Sequence, residues 1–216
     1  MNASKSPHGV GPTLLSAGVL SISLLGDILI YIVLPVNAEL FGVTLFWVGV
    51  LLAANRLIRI FTYGPIAALA ERIGPRNLAI AAAMAAAIST LGYGFGVGWP
   101  VLLAARITWG LCFAALSLVI FAYAVSDRSK AGTRVGLSRA IMNICPTLAL
   151  FLGPLAAVVV GPKDIFIYLG LISILAVPLA VMLPKEGRRP EPKKTEWLPT
   201  PKRFDLFMFI AGLTVD

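Results

Sequence analysis

The sequence predicts an all-α protein: a polytopic transmembrane bundle of six spans, built as two inverted three-helix repeats, plus the start of a seventh helix. Three observations predict it. The 216 residues are 58% hydrophobic and 13% charged, with a mean hydropathy of +0.90, whereas soluble domains run at about a quarter charged. The apolar residues fall into runs of about 20 or more, the length that a helix needs to cross the hydrocarbon core. The basic residues sort to one side of those runs. Soluble enzymes are excluded because a chain of this length cannot hide so much apolar surface from water. Disordered chains and disulfide frameworks fall with them, since the two cysteines, Cys112 and Cys145, lie inside apolar runs as small packing residues.

The first span covers 14–36 and carries Asp27 at its middle. Lys5, the apolar run and Val36-Asn37-Ala38 loosely imitate a signal peptide, but the run exceeds the usual ~7–15 apolar residues and holds an acid, so it is retained. A short turn with Gly42 leads to the second span, 45–68, which contains Asn55, Arg56 and Arg59. The third covers 77–97. Gly98-Trp99-Pro100 opens the fourth, 99–124, with Arg106 in its outer half. The fifth, 138–160, joins the sixth, 164–184, through Gly161-Pro162-Lys163-Asp164. Residues 1–184 thus form one six-helix unit. Residues 185–204 are a basic, Pro-rich linker, with Pro190, Pro192, Pro199 and Pro201 among charges, and favour extended chain. Residues 205–216 start a seventh span that cannot cross lipid in so few residues, which predicts a partial chain.

The net charge of +8 is a topology signal and calls for no nucleic-acid partner. Fourteen Lys and Arg fall before the first span or in the even-to-odd connections, against Lys163 alone on the other side. The positive-inside rule then places the N-terminus in the cytoplasm, with the protein in the cell membrane. Trp47 and Trp99 fall at the predicted external boundary, where indoles anchor, although helix packing explains them equally well. Gly64-Pro65-Ile66-Ala67-Ala68 in the second span echoes Gly153-Pro154-Leu155-Ala156-Ala157 in the fifth, the relation that two inverted three-helix repeats would produce.

Ionisable residues inside lipid carry the functional information, because a central charge costs about 2.5–3.5 kcal/mol even on insertion scales. Such groups face a cavity or the bundle interior and pair with one another. Asp27 is the one plausible proton carrier in the six spans, since arginine does not titrate usefully. Arg56 and Arg59, three apart, share a face. Tyr31, Asn55 and Asn143 complete a candidate polar cavity lining with them. A structural ion pair that only fixes packing is the bland alternative. His8 precedes the first span and reads as a solvated tail residue.

Ala67-Ala68-Leu69-Ala70-Glu71-Arg72-Ile73-Gly74-Pro75-Arg76 resembles the Gly-x-x-x-Asp-Arg-x-Gly-Arg-Arg loop of the major facilitator superfamily, with Ala67 for the first Gly and Pro75 for one basic residue. Arg106-Ile107-Thr108-Trp109-Gly110 is similar to its span-four Arg-x-x-x-Gly motif. Gly26-Asp27, leading to Leu34-Pro35, resembles the first helix of its drug–proton antiporters, and Gly153-Pro154 resembles their span-five Gly-Pro motif without its flanking glycines. The resemblance covers the whole six-span unit. It implies a secondary transporter whose second six-helix half is missing here. Glu71 would latch the outward-facing state against a helix dipole and basic groups of that half, with Arg72, Gly74 and Arg76 in the same device. Arg106 would couple proton movement to substrate, with Asp27 as its partner, and Gly110, Gly153 and Pro154 would serve helix packing.

The expected function is proton-coupled efflux of small, partly lipophilic compounds, with protons, a small-molecule substrate and the bilayer as partners. The driving force is the proton gradient; no cofactor or metal is expected, and no P-loop or CxxC occurs. An enzyme is not expected, because no Ser–His or paired-Asp arrangement lies in the spans. Transport of a defined metabolite, or a non-transporting membrane assembly or receptor subunit, stands as the alternative.

Overall fold

A computed structural model describes residues 10–126 and 130–185. The linker from 186 onward, the seventh-helix start at 205–216, Lys5, His8 and Arg128 lie outside the described residues. The described chain forms helices α1 (Gly11–Val36), α2 (Leu45–Ile73), α3 (Pro75–Phe95), α4 (Trp99–Ala124), α5 (Ala131–Met142), α6 (Ile144–Val160), α7 (Asp164–Ser173) and α8 (Ala176–Val181), with no strand among them. By length and composition they provide six segments able to cross a membrane, α5 with α6 making the fifth and α7 with α8 the sixth.

Both internal breaks have a proline cause. Pro146 has no N–H for the carbonyl of Met142, and its ring crowds that carbonyl, so the fifth span breaks at Asn143. The Cys145 N–H just beyond the break is satisfied from outside the helix, donating to Ser21 Oγ at 3.1 Å. Pro178 likewise cannot donate to Ile174, and there Val177 N–H donates to the Ile174 carbonyl in a tighter turn of 2.9 Å. The fifth span also starts earlier than expected, at Ala131 instead of 138, so Arg134 and Arg139 lie on a helix and not in a connection. Hydropathy marks where lipid begins, whereas the helix continues beyond it: the buried Arg134 donates from Nη1 to Ser126 Oγ at 3.0 Å, and Arg139 is exposed. Gly42 (φ 67°) and Gly98 (φ 84°) take backbone conformations that side chains disfavour. They let the Gly98 N–H donate to the Phe41 carbonyl at 2.9 Å, tying the first and third connections together.

The packing follows an internal two-fold plan. Gly153 stands 89 residues after Gly64, and the same step carries each of the first three spans onto the fourth, fifth and sixth to within about three residues at their ends. The contacts obey the exchange: α2 packs on α4 as α5 and α6 pack on α1, and α3 lies against α7 and α8. That last pairing is sealed twice by glycine. A Cβ on Gly94 would come within 2.6 Å of Ile167, and one on Gly170 within 2.6 Å of Leu91. Without a hydrophobic force between helices in lipid, such close approach is what holds a bundle together. The alanine-rich face of α3, with Ala79, Ala82, Ala83 and Ala86 all buried, works in the same way.

Two apolar cores result. One gathers Leu20, Leu24, Ala83, Leu116 and Tyr123 toward the basic end, the other Leu34, Phe41, Leu102 and Phe166 toward the opposite end. Between them runs a buried polar layer of Asp27, Asn55, Ser89, Thr90 and Arg106. The first, third and fourth spans are mostly buried, while the second and fifth, related by the internal two-fold, leave apolar faces with Phe61, Leu57, Phe151 and Val158 exposed.

Candidate functional site

The Asp27, Asn55 and Arg106 part of the polar layer is built from three helices whose periodicity points the same way. On α1, Ser16, Leu20, Ser23, Asp27, Ile30 and Leu34 recur at three- and four-residue steps and are all buried, so Asp27 lies on the inward face. On α2, Leu51, Asn55 and Arg59 follow one another at four-residue steps. On α4, Arg106, Trp109, Gly110 and Phe113 share a face.

Arg106 Nη1 donates to Asp27 Oδ1 in an ion pair whose side chains are 1% and 5% exposed. Its Nε donates to the Leu51 carbonyl at 3.2 Å, and its guanidinium carbon lies 4.7 Å from the Tyr31 ring centre. Asn55 Nδ2 donates to the same Asp27 oxygen at 3.2 Å and reaches Tyr31 Oη at 3.4 Å. The Asn55 side-chain Oδ1 accepts from Arg59 Nε and Nη2 at 3.2 and 3.1 Å, and the Arg59 guanidinium covers the Phe113 ring at 3.6 Å. One connected set of hydrogen bonds thus runs from Arg59 through Asn55 to Asp27, which also accepts from Arg106.

The glycines explain how the helices come this close. A Cβ on Gly110 would overlap Ile58 and stand 2.9 Å from the Asn55 carbonyl, so Gly110 is what allows α2 to bring Asn55 against α4. A Cβ on Gly26 would lie 2.7 Å from Thr90 Oγ1, and one on Gly153 2.6 Å from Leu29. The layer is rich in donors: Arg106 Nη2 and the indole Nε1 of Trp109, both buried, have no hydrogen-bond partner among the described residues.

The remaining residues singled out by sequence are placed as follows. Arg56 is exposed on α2, turned away from the strip that holds Asn55 and Arg59. The one-residue step from Asn55 rotates it about 100°, and Arg59 joins the network by reaching back one turn, a reach that shared facing with Arg56 does not disclose. Asn143 is exposed at the break in the fifth span, where its amide donates to the Arg139 carbonyl at 2.8 Å. The structure brings neither into the polar layer. Glu71 and Arg72 are exposed on the last turn of α2, Gly74 turns the chain at φ 82°, and Arg76 is half-buried on the first turn of α3. Pro154 is half-buried beside the buried Gly153. Trp109, Phe113 and the Leu51 carbonyl were not legible as site groups. Helical spacing from Arg106 aligns the first two with it, but an aromatic residue in an apolar span looks like any packing residue.

The sequence matches the family model of the Major Facilitator Superfamily over residues 17–213. The chain belongs to the major facilitator superfamily. A search of curated proteins found no match. A major facilitator chain is a membrane transporter of small molecules, and the six apolar segments among the described residues make this one a multi-pass membrane protein. In this superfamily member the Arg106-x-x-x-Gly110 motif has a direct physical account. The arginine supplies the charge that Asp27 needs inside the bundle, and the glycine admits the helix that carries Asn55.

Proposed function

We propose that this major facilitator chain forms the first half of a proton-coupled exporter of small, partly lipophilic compounds, its N-terminus in the cytoplasm of the cell. The observation that carries the reading is the Asp27–Arg106 ion pair, buried between two apolar cores where a charge is costly and serves a purpose. Protonation of Asp27 removes the counter-ion of Arg106. The guanidinium, still held by the Leu51 carbonyl, then has a free electrostatic valence for another partner, so proton and substrate occupancy become linked through one group. Tyr31, Asn55 and Arg59 line the path. The second six-helix half would cover the exposed faces of the second and fifth spans, and Glu71, Arg72, Gly74 and Arg76 would latch against it. No cofactor is needed, since the proton gradient supplies the work.

The test is proton flux in liposomes holding the full-length protein and an internal pH-sensitive dye, challenged with lipophilic cations, neutral compounds and anions. At least one class should accelerate proton movement with wild type and not with Asp27→Asn. Equal substrate movement with and without a pH gradient, or undiminished coupling in Asp27→Asn, overturns the reading.

A further inference from the structure

Arg56 lies on the exposed face of α2 and has no hydrogen-bond or ion-pair partner among the described residues. Its neighbours on that face, Leu57, Ile60 and Phe61, are exposed and apolar. The position is deep. The apolar run of the second span ends at Ala68, twelve residues and about 18 Å along the helix from Arg56. An arginine stem that snorkels from a helix end cannot carry the guanidinium to the interface from there. A charge at that depth faces water or an opposite charge, since hydrocarbon offers neither.

The whole sequence holds ten acidic residues. Seven of them fall in connections, at helix ends or in the Pro-rich segment after the sixth span, and Asp27 is engaged inside the bundle by Arg106 and Asn55. The other two, Asp205 and Asp216, flank the apolar run 206–215, which lies outside the described residues. As a seventh span entering from the basic side, that run carries Asp216 eleven residues and about 17 Å inward from Asp205. The second span ends on the same basic side, so Asp216 and Arg56 stand at matching depth.

We propose that the seventh span docks on the exposed face of α2 and that Asp216 forms an ion pair there with Arg56 in the middle of the membrane. The inference rests on the reading above that helices beyond the sixth cover the second span, and adds which helix meets it and through which groups. The carboxylate answers the charge of Arg56 through charge-assisted hydrogen bonds, while Leu57, Ile60 and Phe61 bed the apolar run. The segment 185–204 sets no limit on reach, because an extended chain of that length covers about 60 Å. A second copy of the chain suits the face less well. An isologous contact brings the same patch from both copies together, two guanidinium groups without a carboxylate between them.

The experiment joins cross-linking to charge exchange in the full-length protein. In a cysteine-free background with a protease site in the Pro-rich segment, Arg56→Cys with Asp216→Cys should be bridged by a short bis-methanethiosulfonate, so that the two fragments stay together after cleavage. Leu45→Cys with Asp216→Cys, about 17 Å further along α2, should not be bridged. Arg56→Asp and Asp216→Arg should each cut the yield of monodisperse protein by about fivefold, and the exchanged pair should restore it to within about twofold of wild type. The neutral pair, Arg56→Gln with Asp216→Asn, should also exceed either of its single variants, which keeps the charge test decisive if the exchanged pair fails to fold. No cross-link above the control, or a cross-link with neither double variant exceeding its singles, overturns the proposal. So does a dimer bridged through Arg56→Cys alone, or a higher yield for Arg56→Leu than for wild type, the result for an arginine facing lipid. Proton flux is not read, so failure here leaves coupling through Asp27 standing, and failure of coupling leaves the Arg56–Asp216 pair standing.

Discussion

Arg106 of the fourth span and Asp27 of the first, 79 residues apart in sequence, form a buried ion pair on the layer that separates the two apolar cores. Removing one partner strands the other charge. Asp27→Leu and Arg106→Leu should each lower stability by about 3–5 kcal/mol, while the double variant should recover most of the loss. Chemical unfolding of the purified protein in detergent measures all three. Additive losses in the double variant would show that the pair does not act as a unit.

Gly110 and Gly49 provide a matched pair of substitutions. Gly110→Ala places a Cβ against Ile58 and the Asn55 carbonyl, and should cost about 1–3 kcal/mol as α2 is pushed from α4. Gly49 lies on α2 itself, with nothing within 4 Å of its Cβ position, so Gly49→Ala should be neutral or stabilising by up to about 1 kcal/mol. Equal effects at the two sites would remove the close-approach argument.

Trp47 and Trp99 stack with ring centres 4.2 Å apart and planes 7° from parallel, fastening the start of α2 to the start of α4. A double-mutant cycle to alanine should return a coupling of about 0.5–1.5 kcal/mol beyond the area lost. A coupling near zero would leave each indole anchored independently at the interface.

The proposed orientation has its own test. In a background of Cys112→Ala and Cys145→Ala, Lys163→Cys should react with an impermeant maleimide added outside intact cells, while Ala131→Cys should react only after permeabilisation. The reverse pattern would invert the topology drawn from the basic residues.

Much of the bundle is legible in the sequence because lipid imposes a simple code. Apolar runs mark spans, and lysine and arginine mark one side. The boundaries are less so. The fifth span begins at Ala131, ahead of the apolar run, with Arg134 buried against Ser126 and Arg139 exposed on the same helix. Pro146 and Pro178 split two spans at positions that hydropathy passes over. Within the site, Asp27, Asn55, Arg59 and Arg106 stand out as costly polar groups in apolar runs. Trp109 and Phe113 do not, since their chemistry resembles that of their neighbours.

Composition and periodicity by themselves determine an all-helical membrane protein with six spans, a basic side and a few charges that must be sheltered. The superfamily motifs follow from local sequence as well, because each is a short run on one helix or loop. Which charges meet was decided only by the tertiary structure. Contact between Asp27 and Arg106 depends on how α1 and α4 are rotated and how closely α2 approaches, and that is set by Gly110 against Asn55 and by Gly26 against Thr90. Arg56 and Arg59 carry the same group three residues apart. Only the helix rotation that buries Asn55 puts one on the polar layer and leaves the other exposed.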